Sequence, residues 1–134
     1  MSVSISRRFV AGVIAAALMA GCKSYTAPSG GITVPHGDVT IVAGAQNMGA
    51  HAFAPDTLTI SLAASGKVVW SNGDVGDGVY VGGVTHHITA DDNSFSLGDQ
   101  GPGHTASHTF AAAGTYNYHC SIHPGMVGAI IVTS

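Results

Sequence analysis

From residue 39 onward, apolar residues tend to recur at every second position. No stretch of about ten residues carries them at the three-and-four spacing of an amphipathic helix. That feature restricts the chain to folds built from strands. Seven runs qualify: 39–42, 57–62, 67–71, 84–89, 107–110, 115–120 and 127–133. Thr57-Leu58-Thr59-Ile60-Ser61-Leu62 and Thr115-Tyr116-Asn117-Tyr118-His119-Cys120 alternate, the mark of a strand with one buried face. Glycine- or proline-bearing turns separate the runs. Short strands with turn residues between them predict an all-β fold, an antiparallel β-sandwich. Two stretches read as loops within it: 73–83, which holds five glycines, and 99–105.

The N-terminal segment follows different rules. Arg7 and Arg8 precede an unbroken run of apolar residues and glycine over 9–20. The run fits the apolar stretch of a secretion signal and falls short of the roughly 20 residues that span a bilayer. It ends Leu18-Met19-Ala20-Gly21-Cys22, which resembles the lipobox of bacterial lipoproteins. The resemblance implies a signal peptide over 1–21 and a lipid on Cys22. It also implies a place in the cell envelope or periplasm, anchored to a membrane. Residues 22–37 include Thr26, Pro28, Ser29, Gly30, Gly31 and Pro35 and predict a flexible tether, leaving 38–134 as the folded domain.

Charge narrows the partners. Lys and Arg total four against seven Asp, so a basic nucleic-acid footprint is excluded. The chain is 46% hydrophobic with a net charge of −3, which argues against disorder. Cleavage before Cys22 leaves Lys23 and Lys67 opposing the seven Asp, a net charge of about −5 that would steer cationic partners. With Cys22 lipidated, Cys120 is the one remaining thiol, and a lone thiol in an oxidising compartment is a hazard unless something occupies it.

Cys120-Ser121-Ile122-His123-Pro124-Gly125-Met126 places a thiolate, an imidazole and a thioether within seven residues. Thiolate and thioether suit copper(I), and imidazole serves both copper oxidation states. Two His and one Cys in a trigonal set with a long axial Met form the type-1, or blue, copper arrangement. Structural zinc wants four strong donors, and a thioether is a poor one. Pro124 and Gly125 permit the tight turn that brings Met126 back over Cys120 and His123. The second imidazole must come from His86 or His87. Ile88 belongs in the core, so period two puts His86 on the inner face with it and His87 outside with Thr89. The same rule turns His119 away from Cys120.

These residues carry a wider resemblance. Val69-Trp70-Ser71-Asn72, Thr85-His86-His87-Ile88-Thr89-Ala90-Asp91-Asp92 and the stretch from Gly114 through Tyr118-His119-Cys120 to Met126 resemble cupredoxins of the plastocyanin/amicyanin type. Phe53-Ala54-Pro55-Asp56-Thr57-Leu58-Thr59-Ile60 resembles the family's early strand. The resemblance covers 39–134 and implies a Greek-key β-sandwich with one type-1 copper, shuttling single electrons between redox proteins and not acting as an enzyme. By position, His86, Cys120 and His123 are the equatorial ligands and Met126 the axial one. Asn72 matches the Asn that hydrogen-bonds around the site. The segment 73–84 is longer and richer in glycine than in the family, which leaves the docking surface open.

Other readings remain at this stage. One alternative is a copper storage or delivery protein, against which it counts that only Met48 and Met126 follow the signal. Another is an accessory type-1 domain of a reductase or oxidase. His87, His119, Asp91 and Asp92 read as solvent-facing polar residues, with an electron exit at His119 and an acidic docking patch as sharper alternatives. His36 falls in the tether; His51, His104 and His108 are unassigned.

Overall fold

The computed structural model describes residues 36–76 and 82–134. The expected signal peptide, its lipid-bearing Cys22 and the tether up to residue 35 lie outside them. Nine strands occur among the described residues: β1 Val39–Ile41, β2 Phe53–Ala54, β3 Thr57–Ser61, β4 Lys67–Asn72, β5 His86–Ala90, β6 Ser96–Gln100, β7 Thr105–Thr109, β8 Gly114–Cys120 and β9 Val127–Thr133. They form two sheets, β2-β1-β4-β7 and β3-β9-β8-β5-β6. Alternation is clearest in β5, where His86, Ile88 and Ala90 are buried while His87 and Thr89 are not. Facing residues of the two layers, among them Val39, Ile41, Val68 and Trp70 against Ile88, Tyr118, Ile130 and Val132, make one core. This is the Greek-key β-sandwich that was expected.

Two features differ from the expectation. The sheets are mixed, because β1 pairs with β4 and β3 with β9 in parallel. The chain leaves the first sheet after β2 and re-enters it at β4 on the other side of β1. The stretch 99–105, read as a loop, opens with the end of β6 and closes with the start of β7. Strand β6, Ser-Leu-Gly-Asp-Gln, has little β propensity and a positive φ at Gly98. Its pairing to β5 makes it a strand. Two-residue β2 is too short to show a period.

Tyr118 fills the centre, with its ring 5.0 Å from Phe53 and 5.7 Å from Trp70, both edge-on. Its cross-strand partner is Gly128. A Cβ there would stand 2.5 Å from the Tyr118 Cζ and hydroxyl, so glycine is what lets the ring cross β9.

Where the free edges of β6 and β7 meet, His108 stacks on Phe95 at 4.8 Å and stands edge-on to Phe110 at 4.8 Å. Burial lowers the His108 pKa below its ordinary value. The unfolded chain therefore takes up a proton near pH 6.5 that the folded chain refuses. Stability contributed by neutral His108 is present above that pH and declines as pH falls through it toward the depressed folded value. Urea midpoints are expected to fall more between about pH 7 and pH 5 for the natural chain than for His108→Phe. Parallel pH profiles would contradict this.

Candidate metal centre

Sequence-distant side chains meet at one end of the sandwich. His86 is the first residue of β5, Cys120 the last of β8, and β9 starts at Val127, so 121–126 bridge two neighbouring strands. Cys120 pairs with Ile88, which turns its thiol inward beside His86. Gly125 takes a positive φ of 95°. The loop is cinched by Cys120 N donating to the Met126 carbonyl at 3.0 Å and Met126 N to the His123 carbonyl at 3.4 Å.

The donor atoms form a small triangle. Cys120 Sγ lies 3.8 Å from His86 Nδ1 and 3.6 Å from His123 Nδ1, and the two Nδ1 atoms are 3.2 Å apart. A point equidistant from all three lies about 2 Å from each, the length of a metal–nitrogen bond. His86 and Cys120 are buried and His123 half-buried. Met126, fully buried, belongs to the same loop.

Electrostatics favour a metal here. Burial opposes ionisation of Cys120, but hydrogen bonds from His86 and from the backbone of His87, His123 and Ile122 outweigh it and lower the thiol to about 6. The thiolate, which binds metal, is thus the dominant form at neutral pH. Burial works against protonating His86, and hydrogen bonding to Cys120 and Asp74, with their charge, overcomes it and raises the pKa.

Asp74 is the participant that the sequence reading missed. Its Oδ2 lies 3.1 Å from His86 Nε2, both groups buried. It sits in the glycine-rich segment read as a loop, and its one signal is an acid two residues past the strand that ends at Asn72. Among the described residues, Asn72 makes no hydrogen bond to any of the three donors. Its amide donates to the carbonyls of Val84 (2.8 Å) and Gln100 (2.9 Å), and its Oδ1 accepts from Asp74 N at 2.9 Å. It therefore closes the base of the 73–84 segment beside the site.

The other histidines stand apart from the triangle. His87 Nδ1 is 2.7 Å from Asp99 Oδ1 and its Nε2 3.0 Å from Ser96 Oγ. His119 Nδ1 is 2.6 Å from Asp91 Oδ1. Both pairs lie on the outer face, as the strand phase required. Asp92 caps a turn through Ser94 N. His36, His51 and His104 are exposed.

Two imidazoles and a thiolate, with a thioether on the same loop, at one end of a β-sandwich define the copper-centre class of cupredoxins. The sequence matches the copper binding proteins of the plastocyanin/azurin family over residues 39–133, and the chain belongs to that family. The family and the His86–Cys120–His123 cluster support one copper ion. Among solved structures, the chain is similar to a purple cupredoxin from Nitrosopumilus maritimus, with 26% identity and a TM-score of 0.58, over 71% of this chain and 97% of that one. It is also similar to the copper-containing nitrite reductase of Thermus scotoductus SA-01, with 32% identity and a TM-score of 0.51, over 61% of this chain but only 20% of the reductase. A copper(I) structure of an amicyanin variant matches with 26% identity and a TM-score of 0.44, over 58% of this chain and 70% of amicyanin. No curated protein matches the chain.

Proposed function

We propose that this chain is a blue-copper electron carrier with His86, Cys120 and His123 as equatorial ligands and Met126 as the axial one. The observation that carries the reading is the pre-formed triangle with no side longer than 3.8 Å. Two imidazole lone pairs 3.2 Å apart repel unless a proton or a cation lies between them. Bound copper supplies the one-electron Cu(I)/Cu(II) couple and a covalent bond to thiolate sulfur. The protein's part is to forbid rearrangement. Cys120 is held by the β8–β5 ladder, by its own N–H to Met126 and by His87 N at 3.5 Å from Sγ. Both oxidation states then share one compromise geometry.

The half-buried His123 edge is the proposed route for electrons. Around it lie exposed Ile122, Pro124 and Gly125, and Gly49 of the segment that also carries exposed Met48 approaches Gly125. Partners dock there as other redox proteins, a cytochrome or an oxidase domain. Exposed Asp56, Asp91, Asp92 and Asp99 favour a cationic surface, since Lys67 is the one Lys or Arg among the described residues. A lipid on Cys22 would confine the search to the membrane of the envelope and raise effective concentration through the tether.

The test is to load the purified chain with copper and measure stoichiometry, visible and EPR spectra, and voltammetry. The expected result is one copper per chain, an intense thiolate-to-copper band and reversible cycling. Two or more coppers would favour an enzyme, and ready loss of copper to a competing acceptor would favour a delivery protein. Either result overturns the carrier reading.

A further inference from the structure

We infer that Asp74 is a positioning residue: its buried carboxylate fixes His86 with Nδ1 toward the thiolate and holds the copper potential below that of the same site with a neutral partner. The inference rests on the proposed ligation by His86. A carboxylate only accepts hydrogen bonds, so the proton of the 3.1 Å contact sits on His86 Nε2, and when the ring is neutral Nδ1 keeps its lone pair on the side of Cys120 and His123.

Asp74 is itself clamped. Its Oδ1 accepts from Gly44 N at 3.0 Å, its N–H donates to Asn72 Oδ1 at 2.9 Å, and its carbonyl accepts from Val84 N at 3.0 Å. It is 1% exposed, so water cannot replace it as the partner of His86. A fixed negative charge one imidazole away from the metal favours the more positive oxidation state, and burial keeps salt from screening it. Hydrogen-bonded carboxylates also raise the basicity of the histidines that ligate metals. The same residue ties in the segment that starts at Gly44, whose Gly49 faces Gly125 of the ligand loop. Loss of the carboxylate therefore loosens the setting of His86 and the wall beside the loop together.

The experiment compares the natural chain with Asp74→Asn and Asp74→Ala. Asn keeps the size, removes the charge and leaves one acceptor oxygen for two donors. Both variants are expected to lower the copper(II)-to-copper(I) affinity ratio at least tenfold, an upward shift of about 59 mV for a one-electron couple. In the copper-free chain at alkaline pH, nitrogen NMR is expected to show His86 as the Nε2–H tautomer in the natural protein and as a mixture in Asp74→Ala. Folded variants with unchanged potential and unchanged His86 tautomer would overturn the inference. If neither variant folds, the natural chain decides, because an Nε2 proton that exchanges rapidly with solvent is incompatible with this pairing and a protected one is required by it. Absence of a thiolate-to-copper band from the natural chain would instead sink the ligation reading, and the copper-free tautomer measurement would still judge the pairing.

Discussion

Replacing Cys120 by serine is expected to abolish the visible thiolate-to-copper band completely and to widen the copper hyperfine splitting of any metal that stays bound. A serine hydroxyl does not ionise near neutral pH, whereas the Cys120 thiol is lowered to about 6 by its surroundings. The substitution replaces a soft anionic donor with a hard neutral one at a site whose two remaining close donors are imidazoles. The fold should survive, because serine has the branching of cysteine with a smaller end atom, so nothing is overpacked, and the polar His86 and His123 rings line the space beside it. Circular dichroism and a thermal melt separate loss of the centre from loss of the sandwich. A folded Cys120→Ser chain that keeps the band would show that another group binds the metal.

Three of the proposed donors, Cys120, His123 and Met126, were legible because they lie on one short segment between two strands, and local spacing is what a sequence displays. The fourth, His86, was reached by strand phase: Ile88 belongs in the core, and alternation does the rest. The burial of β5 follows that alternation, with His86 and Ile88 buried and His87 turned toward Asp99. What stayed hidden is long-range or propensity-poor. Nothing local announces that Asp74, in a glycine-rich loop, meets both His86 and Gly44, thirty residues upstream. Likewise β6 owes its existence to pairing with β5 and not to its own residues, and the parallel pairing of β3 with β9 joins segments some seventy positions apart. The carboxylate partners of His87 and His119 follow the same rule, for alternation tells which face a side chain occupies but not which neighbour it finds there.

Adjacent histidines give the sharpest test of that alternation, and their substitutions should have opposite outcomes. His86→Gly removes a fully buried ring and leaves a cavity that opens onto the remaining donors. Copper(II) binding is expected to weaken at least about 100-fold, since removing groups that merely support a ligand already costs 10–100-fold. Added imidazole should restore both binding and the thiolate-to-copper band by entering the vacated space. His87→Ala removes a half-exposed ring from the outer face and two contacts, to Asp99 and Ser96. The backbone N–H of His87 that approaches Cys120 Sγ is kept in alanine. The visible spectrum should therefore be nearly unchanged, with any loss confined to the β5–β6 edge and to stability. If His87→Ala bleached the centre and His86→Gly did not, β5 would be out of phase by one residue. The inward set would then be His87 and Thr89, and Ile88 would have to leave a core in which it is completely buried. Burial of about one Ile side chain is worth 1.5–3 kcal/mol, so the fold itself resists that alternative.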